Sequence, residues 1–252
     1  MDKISVIYQD DDILVVDKPS GLVVDRSETQ TTGTLENILE DEFNINILRS
    51  GIVHRIDKET SGILLVAKNT ESLDNLQAQF KDRKTKKEYL ALVHGLLESP
   101  GKVEGDIGRN PGNREKFIVL EDGGKEAMTE YSPDGNFQIS NDKLQIIFED
   151  YNKIQMRKLE QQNYGQFTLL KCFPKTGRTH QIRVHLKYIN HPIVSDEKYV
   201  GRKMYRLDKR FCPRLFLHAR KIGFYHPKSK EWMELESQVP EDLKKVLNIF
   251  HE

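Results

Sequence analysis

His54-Arg55-Ile56-Asp57-Lys58-Glu59-Thr60-Ser61-Gly62 runs directly into Ile63-Leu64-Leu65-Val66-Ala67-Lys68. The second half is a short apolar run opened by a glycine, the pattern of a buried strand. The first half is polar and turn-like, so the Asp57 carboxylate stands in the loop that feeds that strand. Upstream, Ile13-Leu14-Val15-Val16 and Leu22-Val23-Val24 flank Lys18-Pro19-Ser20-Gly21 and predict two strands with a tight connection. Leu35, Ile38, Leu39 and Phe43 share one helical stripe behind Thr34, a suitable N-cap. Downstream, Thr70 opens a helix with Leu73, Leu76 and Phe80 inward, and Tyr89 to Val93 alternates as a strand ending at Gly95.

Residues 101–124 are polar and rich in turn formers around Pro111-Gly112-Asn113. Residues 134–165 read as irregular, a polar insertion apart from Lys143 to Phe148. Phe167 to Phe173 predicts a strand. Gly177 then turns the chain, and Thr179 is placed to cap a helix with Ile182, Leu186 and Ile189 inward and Arg183 at the stripe's border. Further strands are expected around Arg214 to His218 and Ile222 to Tyr225. A last helix starts at Pro240, with Glu241 and Asp242 in its first turn and Leu243, Val246, Leu247 and Phe250 inward. No βαβ period or repeat is visible. The pattern is α+β, with a mixed, largely antiparallel sheet and flanking helices.

The chain has 252 residues, 37% hydrophobic and 31% charged, which predicts a soluble protein. The run Ile63 to Ala67 is far too short to span a membrane, and Met1-Asp2-Lys3-Ile4-Ser5 has no signal-peptide character. Cys172 and Cys212 offer neither a disulfide framework nor close metal-ligand spacing, so a reduced, cytoplasmic protein is expected. The formal net charge of zero hides an uneven distribution. Residues 1–50 carry four Lys/Arg against eleven Asp/Glu, and residues 171–230 carry sixteen against three. Lys81-Asp82-Arg83-Lys84-Thr85-Lys86-Lys87 adds a second basic cluster. A polyanion responds to such local fields, although a solvated face is the plainer reading of the mid-chain run.

A second cluster, Thr176-Gly177-Arg178-Thr179-His180-Gln181-Ile182-Arg183-Val184-His185-Leu186, follows more than a hundred residues after the first. Together the two resemble the signature motifs of the RluA-type pseudouridine synthases. Asp12 to Gly21, His191 to Val194, Leu217-His218-Ala219 and Phe224 to Pro227 resemble the family's opening and later motifs, so the likeness covers residues 10–245. Ile56 replaces the more usual leucine, and Ser195 stands where a glycine often precedes the aspartate. No room is left before Asp10 for the S4 domain that many relatives carry.

The resemblance implies a single catalytic domain over residues 1–252, two-lobed around a central cleft, that isomerises uridine in structured RNA (tRNA or rRNA) to pseudouridine. The N1–C1′ bond breaks, the uracil turns, C5 joins C1′, and C5 gives up its proton. An ionised carboxylate suffices for attack and proton removal, so neither cofactor nor metal is required. Catalytic roles fall to Asp57, to Tyr89 against the uracil, and to Arg183 of Gln181-Ile182-Arg183 as the partner of Asp57. A carboxylate in a closed pocket is pushed toward its neutral form, and a nearby arginine opposes this. Arg55 resembles the arginine that enters the base stack when the uridine is flipped out. Thr60, Ser61, Arg178, Thr179, His180 and Gln181 complete the expected substrate-binding set.

Without the motifs, Asp57 would read as a loop aspartate, Tyr89 as a core aromatic and Arg55 as a surface ion-pair partner. Zinc chemistry is disfavoured because His180 and His185 are five apart and no Cys-x-x-Cys or His-Glu-x-x-His occurs. An RNA-binding module without catalysis, or a structural assembly factor, remains the rival class; intact Asp57, Tyr89 and Arg183 favour the enzyme. A monomer is expected.

Overall fold

The structure is a computed structural model and describes residues 4–28 and 30–250. In chain order the strands are β1 (Ser5–Gln9), β2 (Ile13–Lys18), β3 (Ser61–Ala67), β4 (Lys86–His94), β5 (Gly101–Asn110), β6 (Asn113–Leu120), β7 (Lys125–Gln138), β8 (Gln166–Pro174), β9 (Leu217–Tyr225) and β10 (Trp232–Glu236). The helices are α1 (Leu35–Phe43), α2 (Thr70–Lys81), α3 (Asn141–Ile147), α4 (Lys153–Gln161), α5 (Gln181–Tyr188), α6 (Arg202–Asp208) and α7 (Glu241–Asn248). The expected α+β class with a mixed, mostly antiparallel sheet is borne out. The chain forms two compact units, one from the segment up to Tyr89 with His218–Gln238, the other from Leu90–Leu217 with the segment from Val239.

The first unit is organised by β3, every residue of which is buried. It pairs antiparallel with β2, from Ile13↔Ala67 to Lys18↔Gly62, and β2 pairs antiparallel with β1. At its start β3 meets β9 in parallel, Ser61↔His218 and Gly62↔Ala219, while β10 lies antiparallel along β9. The strand reads as one unbroken apolar run because its core includes residues of both α1 and α2, among them Leu35, Leu39, Leu73 and Leu76. Complete burial of each such side chain favours folding by about 1.5–3 kcal/mol before chain entropy is charged. The helices begin where the sequence predicts. Thr34 and Asn37 form a capping box, and Asn69 accepts from the Ser72 backbone.

Leu22 to Val24 do not form the expected strand. Their carbonyls go elsewhere: Leu22 O accepts from Lys18 Nζ, and Val23 O and Val24 O accept from Leu35 N and Glu36 N, first-turn donors of α1.

In the second unit β7 pairs antiparallel with β8 and β5, and β5 with β6. The polar stretch 101–124 is the β5–β6 hairpin. Its β6 face is at most half-buried, which is why its composition mimics a loop, and Asn110 Oδ1 holds the turn by accepting from Gly112 N. The stretch 134–165 is likewise more regular than expected. β7 continues to Gln138 past an irregularity at Pro133–Gly135, and α3 and α4 follow. Those helices bury little beyond Leu144, Phe148 and Leu159, so their apolar period is faint.

Two boundaries and one burial also differ from expectation. The strand expected to start at Arg214 begins at Leu217 and runs unbroken to Tyr225. His180, in the left-handed conformation (φ 56°), replaces Thr179 at the start of α5. Arg183 is 3% exposed rather than at the edge of the stripe.

Gly62 is closely fitted in the first unit, with φ +116° and an added Cβ 2.2 Å from the Ala219 carbonyl oxygen. Gly62→Ala is therefore expected to lose more than about 3 kcal/mol of unfolding free energy. Gly177→Ala, with open space around it, should change it by no more than about 0.5 kcal/mol in the same denaturant titration.

Candidate active site

Asp57 lies in the loop before β3, whose backbone is fastened at several points. Thr60 N donates to Asp57 O (3.1 Å), Gly21 N to Lys58 O (2.8 Å) and Ser20 Oγ to Glu59 O (2.7 Å). Lys18 is completely buried, and its Nζ donates to Pro19 O (2.9 Å), Leu22 O (2.8 Å) and Lys58 O (3.2 Å). Three acceptors need three N–H bonds, which a lysine has as the ammonium. One cation therefore ties the 18–22 turn to the residue next to Asp57. Ile56, 8% exposed, anchors the other side of Asp57 in the core.

His54 fixes the start of the loop. Its Nε2 accepts from Leu65 N (3.0 Å) and its ring stacks on Phe80 at 4.7 Å. Burial, then the nearby charge of Lys87, pushes its pKa down to about 3, so the ring is neutral and keeps its acceptor at physiological pH. Tyr89, on β4, feels both burial and the negative charge of Asp57, and its phenol is held far above its ordinary range. It can donate a hydrogen bond or pack against a ring, but it cannot act as a phenolate base.

Thr60 is 1% exposed, and its Oγ1 has no hydrogen-bond partner among the described residues. An orphan buried hydroxyl costs about 1–3 kcal/mol, a cost that a ligand can relieve. Ser61 Oγ lies 3.0 Å from His218 Nδ1, which gives Ser61 a supporting part in the loop. His218 Nε2 in turn meets Ser237 Oγ (3.3 Å), which donates to Asp17 Oδ1 (2.8 Å). Arg55 is exposed and pairs with Asp25 at 3.1 Å.

In the second unit the buried Arg183 binds Asp196 through two parallel bonds, Nε to Oδ2 and Nη2 to Oδ1, both 2.8 Å. Its guanidinium carbon lies 5.2 Å from the Tyr199 ring centre. Asp196 also accepts from the backbone of Lys198 and Tyr199. This clamp aims the guanidinium and uses two of its five N–H donors. Gln181 spends both ends of its amide, accepting from Thr176 Oγ1 and Arg178 N and donating to Met128 O and Thr129 Oγ1. His180 Nδ1 meets Tyr199 Oη at 2.8 Å. Arg178 Nε donates to Glu126 O, and Thr179 is half-buried in the turn before α5. Sequence reasoning missed Lys18, His54, Asp196 and Tyr199 as supports. Lys18 and His54 lay inside quoted motifs, but nothing in the sequence marked their hydrogen-bond partners.

The first unit therefore offers a carboxylate whose charge reaches a neutral phenol; the second, taken by itself, holds an oriented guanidinium. Thiolate chemistry does not compete, since burial pushes both Cys172 and Cys212 up to about 12. Asp10, Asp12 and His226 bring ligand atoms within 4.8 Å of one another. All three are engaged: Asp10 with Tyr8, His226 and two backbone amides, and Asp12 with Asn69 and Ser72.

A profile of the family described as RNA pseudouridylate synthase matches residues 12–188. The chain is 40% identical over 259 residues to an uncharacterized RNA pseudouridine synthase of Aquifex aeolicus, covering 99% of this chain and 73% of that protein. It is 36% identical over 255 residues to the ribosomal large subunit pseudouridine synthase D of Neisseria meningitidis, covering 98% and 61% respectively. Among solved structures, human RNA pseudouridylate synthase domain containing 1 aligns with a TM-score of 0.68 and 27% identity over 94% of this chain and 84% of that one.

The neutral, half-buried His54 makes an acid-stability prediction. Its pKa is about 3 folded against 6.5 unfolded, so between those values the unfolded chain binds the extra proton. This contribution is absent above pH 6.5 and increasingly destabilising as pH falls toward 3. His54→Gln should therefore flatten the fall of unfolding free energy in that window and leave its pH dependence above 7 unchanged, as read by urea titrations at stepped pH.

Proposed function

The chain belongs to the RNA pseudouridylate synthase family and isomerises uridine in RNA, and from that premise we propose that Asp57 is the group that attacks. The observation carrying this reading is the fastened loop that holds Asp57 where its charge reaches the Tyr89 phenol. The carboxylate adds to the sugar or the base, N1–C1′ breaks, the uracil turns and C5 bonds to C1′; the bond to the carboxylate then breaks, the freed carboxylate removes the C5 proton and N1 gains one. Atoms and electrons balance within the nucleotide, so the reaction needs no metal or cofactor. Tyr89, kept as a phenol, packs on the uracil. Arg183, aimed by Asp196 and Tyr199, serves as the guanidinium partner of Asp57. Thr60 Oγ1 gains its missing hydrogen bond from the bound nucleotide, and Arg55 enters the base stack as the uridine leaves it.

Gln181 and Ser61, their polar atoms engaged, position the loops they belong to; Arg178, Thr179 and His180 present the turn that meets the RNA. The relatives' names favour ribosomal RNA of the large subunit over tRNA as the target. We place the protein in the cytoplasm as a monomer; no helix among the described residues is long and apolar enough to cross a membrane.

Asp57→Asn is expected to leave circular dichroism and RNA affinity near wild type while lowering product formation at least about 10³-fold. The measurement is pseudouridine mapping in RNA from a strain lacking the protein, treated with each variant; product near the wild-type level would refute the role of Asp57. Arg183→Ala should cost about 3–5 kcal/mol in stability, because it strands the buried Asp196 carboxylate, and it should also lower activity. Thermal unfolding alongside the mapping checks both.

A further inference from the structure

Trp232 is the chain's single tryptophan, and it is 38% exposed on β10. Across the ladder it pairs with Tyr225, 45% exposed, and the two rings meet edge to face at 5.1 Å. The seat for the indole is built. A Cβ at Gly223 would lie 2.4 Å from the indole ring, so only glycine lets the ring settle there. Tyr225 is fixed from the other side by Gln79, whose side-chain amide accepts from Tyr225 N (2.8 Å) and donates to Tyr225 O (2.7 Å), as a neighbouring strand would. Lys86 Nζ stands 5.4 Å from the indole centre, and Lys84, Lys86, Tyr225 and Trp232 line an open hollow of ≈ 420 Å³. Lys86 and Tyr89 are three apart on β4, so they point to opposite faces of the strand and this hollow is not the place of the reacting uracil.

We propose that this hollow is a second RNA contact, which stacks an unpaired base of the substrate on Trp232 and Tyr225 and holds the adjoining phosphates with Lys84 and Lys86. Exposed aromatic rings rimmed by lysines fit a nucleotide, which has a flat apolar face and an anionic edge. The surrounding charge agrees: residues 81–87 carry five Lys/Arg against one acid, and Lys228 and Lys230 offset Glu231 and Glu234. Two aromatics in one small hollow are too little surface for a stable protein contact, which takes about 800 Å² on each partner. The proposal rests on the reading of the chain as an enzyme acting on RNA and adds to it a site for the flanking nucleotides.

Because Trp232 is alone, its fluorescence reports this hollow directly. A twelve-residue oligouridylate should quench it, and a fully paired RNA duplex should not. Trp232→Ala, and separately Lys84→Ala with Lys86→Ala, should weaken oligouridylate binding about tenfold, while Trp232→Phe stays within about threefold. With RNA from a strain lacking the protein, Trp232→Ala should raise KM and leave kcat unchanged. Equal quenching by the duplex, quenching by protein concentration alone, or an unchanged KM in Trp232→Ala would each overturn the proposal. Wild-type protein that is quenched by the oligomer yet forms no pseudouridine would support the hollow and count against the enzymatic reading instead.

Discussion

A single buried ammonium holds the loop that carries Asp57 in place. Lys18 ends β2 inside the core, where a cation survives only if its N–H bonds are matched, and Pro19, Leu22 and Lys58 supply the carbonyls. The match works in both directions. The carbonyls of two loops distant in sequence acquire a shared donor, and the loops lose the freedom to move apart. Asp57 inherits this order because its neighbour Lys58 is one of the three anchors. Ile56 on the other side is in the core, so the carboxylate is fixed by both of its flanks before any side-chain contact is considered.

Arg183 repeats the logic in the second unit. Its guanidinium is buried, matched by the two oxygens of Asp196 and backed by the Tyr199 ring, and Asp196 is itself held by two backbone amides. Buried ion pairs of this kind contribute little net stability, but they fix geometry because every alternative leaves a charge unmatched. Here the geometry matters more than the energy. Under the proposed role of Asp57, a reaction carried out by one carboxylate depends on where that group and its partners stand.

Much of this was legible in the sequence, for identifiable reasons. β3 was readable because Ile63 to Ala67 is apolar on both faces, and α1 and α2 because Thr34 and Thr70 stand at the start of amphipathic stretches. The loop bearing Asp57 followed from those two facts, whereas the importance of Asp57 came from the paired motifs. The β5–β6 hairpin was hidden because a solvated face removes the apolar alternation that marks a strand. Leu22 to Val24 misled for the opposite reason: apolar residues whose carbonyls cap a helix look like a strand. Lys18 and Asp196 were invisible as supports, since a charged residue shows its burial only through partners brought together by the fold.

The order of the Asp57 loop depends on the Lys18 ammonium. Hydrogen exchange at the Gly21 and Thr60 amides of Lys18→Met, measured together with its turnover, tests this directly. The predicted result is fast exchange at both amides and lost turnover, while the amides of β2 and β3 stay protected. Wild-type protection at Gly21 and Thr60 with wild-type turnover would contradict it.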